Sequence, residues 1–205
     1  MKVLMLNGSP RANGNTATAL REMEKVFLEE GVEVDYIQVG QLPIRGCIAC
    51  GKCRQLGKCI FDDAVNEVAA KLETADGLVI GSPVYYASAN ATLMALLQRL
   101  FYSTPYSKVM KVGCSVVVAR RGGLSSTYDE MNKFFGISGM PIVSGQYWNS
   151  LHGGAPGEAT QDAEGMQGVR TLARNMTFLM RSIALGREAY GIPEKEPTVF
   201  TNFIR

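Results

Sequence analysis

A cluster of cysteines is the feature of this chain with the most direct chemical meaning. Four of the five cysteines among its 205 residues share the pattern C-x2-C-x2-C-x5-C: Cys47, Cys50, Cys53 and Cys59. Thiolates are soft ligands, so four of them in one loop can surround a single metal ion or an iron–sulfur cluster. The first three have a spacing that bacterial ferredoxins use. Intervening glycines give the backbone room to wrap, and intervening lysines would offset the charge of a negative cluster.

The spacing alone leaves several interpretations of this loop open. Zinc also accepts four thiolates, but it usually takes them from two separated C-x2-C pairs. A thiol–disulfide loop is a second alternative, because C-x2-C pairs are suited to redox exchange. A loop that holds no metal at all is the third. By contrast, Cys114 lies inside an apolar run and is expected to be a buried core thiol.

A second group of polar residues lies near the start of the chain, between a short apolar run and a helical pattern. This order of strand, glycine-rich loop and helix directs backbone N–H groups and the positive end of a helix dipole at the loop. The loop carries short polar side chains and one planar cation: Ser9, Arg11, Asn13, Asn15 and Thr16. Asn15 alone would be enough to cap an ordinary helix, so the excess indicates a site for a phosphorylated ligand.

The motif excludes two common phosphate ligands. No lysine follows Gly14, as a P-loop for a nucleoside triphosphate would require. Gly8 is followed by Ser9 and Pro10, which does not fit the dinucleotide fingerprint. The terminal phosphate of FMN remains, and flavodoxin-like sheets hold this phosphate beside their first strand.

Two later loops are expected to meet the first one at the carboxyl edge of the sheet. The segment 82–90 contains Pro83, which fixes the backbone, and Tyr85 and Tyr86, which offer flat amphipathic surfaces for an isoalloxazine ring. The other loop consists of Ala119, Arg120, Arg121, Gly122 and Gly123. Its glycines permit close backbone approach, and an arginine could stabilise anionic reduced flavin or bind the phosphate of NADPH. The sequence does not decide between these two roles, and a solvated turn is the alternative.

Taken together, these motifs resemble a known family. Gly8-Ser9-Pro10-Arg11 with Asn15-Thr16, and Gly81-Ser82-Pro83-Val84-Tyr85, are similar to motifs of the NADPH-dependent FMN reductase family of flavodoxin-like proteins. The cysteine loop resembles that of its iron–sulfur flavoprotein branch. The resemblance implies that Pro83, Val84 and Tyr85 contact the flavin ring through backbone groups, with Tyr86 and Asn90 nearby. It also implies a 4Fe–4S cluster on the four cysteines and a homodimer or homotetramer.

The elements that must position these loops alternate between strands and helices. This alternation predicts an α/β fold with a doubly wound, five-stranded parallel sheet and helices on both faces. The strands are expected at 2–7, 32–38, 78–80 and 112–119, with the fifth opening at Pro141. Helices are expected to end near Glu30, to begin after Asp63, and to span 90–101, 127–135 and 162–185. One domain would cover residues 1–185, followed by a tail at 186–205.

Composition limits the classes of partner. The net charge is +2 and no basic stripe with interleaved aromatics is present, so nucleic acid is not an expected partner. No apolar run reaches 18 residues, so no membrane span is expected. Met1 and Lys2 lead directly into the first strand without a signal peptide, which favours the cytoplasm and reduced thiols. The helix 90–101 is apolar almost all round, which favours contact with another subunit.

The function predicted from these observations is an FMN-dependent oxidoreductase. It would pass a hydride from NAD(P)H to FMN and then electrons to a small-molecule acceptor such as a flavin or a quinone. The chain has one histidine and no Ser/His/Asp set, which fits chemistry carried by the flavin rather than by catalytic side chains. Two alternatives stay open: an electron carrier with a ferredoxin-like donor, and a non-catalytic flavin-binding redox sensor. Trp148 and His152 lie in a late aromatic segment and either line the substrate pocket or have purely structural roles.

Overall fold

A mainly parallel sheet forms the middle layer of the molecule. The computed structural model describes residues 1–201, 203 and 204, and in this part of the chain six strands form the sheet. They are β1 (Lys2–Asn7), β2 (Glu33–Gln38), β3 (Gly77–Tyr85), β4 (Ser88–Ala89), β5 (Val112–Ala119) and β6 (Ser150–His152). Five of them are parallel in the order β2-β1-β3-β5-β6, which is the flavodoxin order. The predicted fold class is therefore confirmed, and the short antiparallel β4 is an addition to it.

Helices cover both faces of this sheet. They are α1 (Asn15–Glu29), α2 (Cys53–Leu56), α3 (Ala64–Thr74), α4 (Ala91–Ser103), α5 (Leu124–Ile137) and α6 (Ala163–Tyr190), with a short 3-10 helix at Glu158–Gln161. Alternate residues of β1 point to opposite faces: Val3 and Met5 pack with α1 and α6, while Leu4 and Leu6 pack with α3, α4 and α5. Each of these fully buried apolar side chains contributes about 1.5–3 kcal/mol, so the two cores fix the strand edge on which the loops meet.

The end of β3 differs from the sequence prediction, which ended the strand at residue 80 and placed a loop at 82–90. The strand continues through Tyr85, because Pro83 lies in register with Val118 of β5 and Val84 pairs with Ala89 of β4. Tyr86 and Ala87 form the turn of this small hairpin with positive φ angles of 50° and 58°. The residues predicted to face the flavin ring are therefore presented on a strand end rather than on a free loop.

The outer edge of the sheet also differs from the prediction. Pro141 was expected to open the fifth strand, but Ile142 makes only an isolated bridge to Gly113. The chain then leaves the sheet at 144–149 and returns as β6. It stays attached through Asn149, whose carbonyl accepts the N–H of Val117 at 2.9 Å. The predicted start of the fifth strand at Pro141 is therefore wrong: the strand that pairs with β5 is β6, and the predicted segment contributes one bridge to the sheet.

The last helix is longer than expected. α6 passes through Gly186 and ends at Tyr190 rather than near residue 185, and Gly191 follows with a positive φ of 75°. Residues 202 and 205 of the predicted tail lie outside the described residues. The division at residue 185 stays a prediction. In the described part of the chain, no helix is both long enough and apolar enough to span a bilayer.

Candidate functional site

A cleft lies where the segments after β1, β3, β5 and β6 meet at the carboxyl edge of the sheet. Its volume is about 160 Å³. It brings together nine of the residues predicted from sequence, namely Ser9, Arg11, Asn15, Thr16, Pro83, Val84, Tyr85, Ala119 and Arg120. Gly14, Val118, Gly153 and Gly154 complete the lining. The three predicted loops therefore converge, although their contact with FMN itself stays a prediction.

The loop after β1 is held in a fixed conformation by its own side chains. The Ser9 N–H donates to Asn7 Oδ1 at 2.9 Å, and the Arg11 N–H donates to Ser9 Oγ at 3.1 Å. Gly14 occupies the N-cap position of α1, and no side chain of the described residues caps this helix start. The N–H groups of the first turn and the positive end of the helix dipole are thus directed at the cleft, as an anionic ligand requires.

Asn15 has a different role from the cap that the sequence suggested. Its Nδ2 donates to the Ala155 carbonyl at 2.8 Å, and its Oδ1 accepts the Ala159 N–H at 3.1 Å. These bonds tie the segment after β6 to the start of α1, and they bring Gly153 and Gly154 to the cleft. Because Asn15 is used there, the helix start remains open to a ligand.

The segment after β2 supports the first loop, and sequence reasoning missed it. Gly40 lies so close to the loop that a Cβ built on it would be 2.2 Å from the carbonyl carbon of Ser9 and 2.5 Å from the Gly8 oxygen. The Gln38 side chain donates to the Ser9 carbonyl, and Gln41 Nε2 donates to the Pro10 carbonyl at 2.6 Å. The only sequence signal was a glycine two residues after the end of a strand, which by itself indicates no more than a turn.

Tyr85 and Arg120 are the residues with large side chains that line the cleft from the ends of β3 and β5. Tyr85 is 44% exposed and offers an aromatic surface at its mouth. The Arg120 side chain lies across Gly154, since a Cβ on that glycine would be 3.3 Å from Arg120 Cγ. The Gly154 N–H is already donated to Glu158 at 2.7 Å, so this segment contributes close approach rather than a free donor. A flat, anionic ligand fits this combination of an aromatic face and a guanidinium.

Six predicted site residues do not line the cleft: Asn13, Tyr86, Asn90, Arg121, Gly122 and Gly123. The Asn90 side chain caps α4 by accepting the N–H groups of Thr92 and Leu93. Tyr86 forms the hairpin turn and is fully exposed. Gly123 packs against the hairpin, where a Cβ would be 2.8 Å from Val84 Cγ1. Their predicted flavin contacts are therefore not visible in this arrangement and stay predictions.

The four clustered cysteines surround a second, smaller cavity of about 20 Å³ below α4. Ile48, Gly51, Ile60, Phe61, Arg99, Tyr102 and Ser103 also line it. Cys47 and Cys50 are exposed, Cys53 and Cys59 are half-buried, and none forms a disulfide. Ser103 Oγ is buried and has no hydrogen-bond partner in the described part of the chain. A hydroxyl without a partner beside four thiolates fits a group that accepts hydrogen bonds there, as cluster sulfurs do.

Arg99 is the functional candidate that sequence reasoning missed at this cavity. It is 1% exposed, and it forms an ion pair with Asp63 at 2.6 Å. Burial acts to lower the pKa of Arg99, but hydrogen bonds to Asp63 and Cys59 outweigh it and hold the pKa above its ordinary value. The available signal was a lone cation within the apolar stripe of a helix, a position that normally requires a buried partner.

The cysteines do not form a preassembled site for one ion. Among the described residues, no group of three or more His, Cys, Asp or Glu side chains is arranged to hold a single metal ion. A 4Fe–4S cluster places each thiolate on a different iron and spreads its ligands more widely than one ion does. The donor set and the unpartnered hydroxyl therefore remain compatible with a cluster.

The late aromatic segment lines a separate cavity of about 300 Å³ between the outer edge of the sheet and the start of α6. Tyr147 and Trp148 pack together with ring centroids 4.9 Å apart. His152 Nδ1 lies 3.4 Å from Asp162, the cap of α6. Burial acts to raise the pKa of Asp162, but hydrogen bonds from Gly165 and His152 outweigh it and lower the pKa. His152 thus has a partner in the fold.

Cys114 is fully buried, as expected, and burial raises the pKa of its thiol.

Comparisons with known proteins agree with this geometry. The family model for NADPH-dependent FMN reductase matches residues 1–154. An iron–sulfur flavoprotein of Methanocaldococcus jannaschii is 34% identical over 194 residues, covering 89% of this chain and 99% of that protein. An iron–sulfur flavoprotein of Methanosarcina thermophila is 31% identical over 193 residues, covering 92% and 100%.

Solved structures share the fold at lower identity. RosB with a bound riboflavin-phosphate intermediate has a TM-score of 0.73 at 16% identity, covering 100% of this chain and 92% of that one. An archaeal flavodoxin has a TM-score of 0.60 at 13% identity, covering 88% and 99%. The loop motifs, the strand order and the match over most of the chain lead to one conclusion: this protein belongs to the NADPH-dependent FMN reductase family.

Proposed function

We propose that this chain is an iron–sulfur flavoprotein, an oxidoreductase that uses FMN and a 4Fe–4S cluster to transfer electrons between a protein donor and a small-molecule acceptor. The observation that carries the proposal is the pairing of two sites in one fold. One is the cleft at the open start of α1, and the other is the cavity surrounded by Cys47, Cys50, Cys53 and Cys59. The names of the relatives that match nearly the full chain support the same function.

The residues of the cleft would bind and orient the flavin. The first-turn N–H groups of α1 and the Arg11 side chain would hold the phosphate, and the strand end at Pro83 to Tyr85 would meet the ring. Arg120, which lies across Gly154, would supply positive charge within the cleft. Bound FMN supplies two-electron and one-electron chemistry, which side chains do not offer.

The four cysteines would hold the cluster, which supplies one-electron transfer. Their thiolates are ligands of the right softness, and the loop carries Lys52 and Lys58 as compensating charge. Such thiolates persist in a reducing compartment, so we place the protein in the cytoplasm. A ferredoxin-like protein is the donor class that matches one-electron exchange at this exposed loop.

A second candidate function is direct reduction of FMN by NADPH or NADH. Two observations favour it. The exposed ring of Tyr85 at the mouth of the cleft offers a surface for a flat nicotinamide, and Arg120 lines the same cleft as a cation for a nucleotide phosphate. In this case the acceptor would be a flavin, a quinone or a similar molecule.

Exposed apolar side chains at and beside the two sites support a homodimer or homotetramer. Ile48 and Tyr102 line the cysteine cavity, Tyr85 lines the cleft, and Leu56 and Tyr86 are exposed in α2 and in the hairpin turn. A second copy covering them would remove apolar area from water and shield a bound flavin. Sedimentation of the purified protein tests this arrangement, which requires a species larger than the monomer.

One experiment separates the candidates. The protein is purified without oxygen, and its absorption, FMN content, iron and acid-labile sulfide are measured. Spectra are then recorded after NADPH, NADH or a reduced ferredoxin is added. FMN with four irons, and flavin bleaching by ferredoxin alone, supports the iron–sulfur flavoprotein. Bleaching by a pyridine nucleotide supports the second candidate. FMN without turnover from any donor would indicate a sensor, and absence of FMN would refute every one of these functions.

A further inference from the structure

The buried guanidinium of Arg99 makes contacts that an ion pair alone does not explain. Its Nη1 and Nη2 donate to the two carboxylate oxygens of Asp63 at 2.6 and 2.9 Å, and Nη1 also donates to the Arg45 carbonyl at 3.2 Å. Its Nε and Nη2 both donate to Cys59 Sγ, at 3.3 and 3.2 Å. A guanidinium has five N–H donors, and each of these five bonds uses one of them.

Cys59 Sγ is therefore a specific hydrogen-bond partner of Arg99. Asp63 is already fixed by its role as the cap of α3, where it accepts the Val65 N–H at 3.2 Å. The carboxylate holds one edge of the guanidinium and turns the Nε edge toward Cys59. Lysine, with three donors on one nitrogen, cannot contact the carboxylate, the Arg45 carbonyl and the sulfur in this planar arrangement.

Ser103 lies one helical turn after Arg99 on the same face of α4. Its side-chain oxygen is buried, it lines the cysteine cavity, and it has no partner among the described residues. A buried hydroxyl costs free energy unless it makes a hydrogen bond. From one helix, Arg99 thus donates to a thiolate sulfur, and Ser103 presents an O–H donor to the space that the thiolates enclose.

Building on the cluster proposed above, we propose that Arg99 and Ser103 are positioning residues for it. Arg99 fixes Cys59 Sγ in place as a ligand through its two hydrogen bonds to that sulfur, and Ser103 donates its hydroxyl to a sulfur of the thiolate-held group. Reduction adds one electron, and therefore one negative charge, to the cluster and its four thiolates. Hydrogen bonds and a fixed cation stabilise this added charge, so both residues raise the reduction potential.

The test is a redox titration of the purified holoprotein with dithionite, read from the cluster absorption and electron paramagnetic resonance. The variants are Arg99→Gln, Arg99→Lys and Ser103→Ala. Loss of a charge-assisted hydrogen bond is expected to lower the equilibrium constant for one-electron reduction by about tenfold in each Arg99 variant. That corresponds to a midpoint about 59 mV more negative. Ser103→Ala is expected to shift the midpoint in the same direction by about a third of this amount.

Arg45→Gln is the matched control. The Arg45 guanidinium lies 4.8 Å from the centroid of the Phe61 ring, and that of Arg99 lies 5.0 Å from the same centroid. Only the backbone carbonyl of Arg45 contacts Arg99, so this variant removes an equivalent charge and leaves all five hydrogen bonds. Its midpoint and iron content are expected to match the wild type. If Arg45→Gln shifted the midpoint as much as the Arg99 variants do, loss of a nearby positive charge would explain the shift, and the proposal would be overturned.

The remaining outcomes also decide the matter. Arg99 variants that hold four irons and keep the wild-type midpoint overturn the proposal while the cluster itself stands. A wild-type protein without iron and sulfide overturns the proposed cluster, and this assignment with it. If neither Arg99 variant shows cooperative unfolding, neither is folded, and Ser103→Ala becomes the deciding variant. An unshifted reduction midpoint in Ser103→Ala then refutes the positioning role.

Discussion

The close contact at Gly40 makes a quantitative prediction about the phosphate loop. In Gly40→Ala, the new Cβ would be 2.2 Å from both the carbonyl carbon and the oxygen of Ser9. These backbone atoms must separate from it by about 1 Å before the contact reaches an ordinary van der Waals distance. Overpacking of this kind costs about 2 kcal/mol, which we expect as the loss in the free energy of unfolding measured in urea.

The displacement acts on the loop expected to hold the phosphate of FMN. A shift of about 1 Å weakens the charge-assisted hydrogen bonds at the start of α1, and one such bond contributes about 1.5–3 kcal/mol. The dissociation constant of FMN, measured by quenching of its fluorescence with apoprotein, should therefore rise at least about tenfold.

Gly186→Ala is the control for this experiment. Gly186 lies within α6 with no heavy atom within 4 Å of a Cβ, so alanine should stabilise the protein by about 0.5–1 kcal/mol and leave FMN affinity unchanged. Wild-type FMN affinity in Gly40→Ala would refute the assignment of this loop to the phosphate.

Three further predictions concern single side chains. Arg11→Ala should weaken FMN binding at least about tenfold in the same fluorescence titration, and unchanged binding would remove Arg11 from the site. The pKa of Asp162 is lowered in the fold, so its carboxylate stabilises the protein above the unfolded pKa of about 3.9 and stops doing so as the pH falls through the lower folded value. Asp162→Asn should therefore flatten the loss of stability below about pH 4 in urea titrations, and an equally steep loss would contradict this origin. Cys114 should resist iodoacetamide in the native cluster-free protein and react only after unfolding, since burial raises the pKa of its thiol; mass spectrometry of labelled peptides checks this.

Much of the sheet could be predicted because its central strands are continuous apolar runs. β5 was predicted from residue 112 to residue 119 and has these bounds, since every residue in it is buried. The end of β3 could not be predicted, because Ser82 and Pro83 are typical of turns and only pairing with β5 and β4 keeps them extended. Tertiary contacts decided the structure there, and local propensity did not.

The candidate site shows the same division. Ser9, Arg11 and Tyr85 could be predicted because their types and spacing suit a flavin phosphate and a flat ring, and all three line the cleft. Arg99 could not, because its partners Asp63 and Cys59 are far away in sequence and come together only when α4 packs on the cysteine loop. Spacing identifies ligands within one loop, but it does not identify donors that reach that loop from another element.

The interrupted outer edge of the sheet has a consequence for aggregation. β6 is only three residues long, and the chain bulges away from β5 at 144–149 before it. A long, straight edge can template backbone pairing with other molecules and lead to amyloid-like growth, whereas a short and broken edge cannot. Crowded or partly denatured samples should therefore be protected from fibril growth along this side.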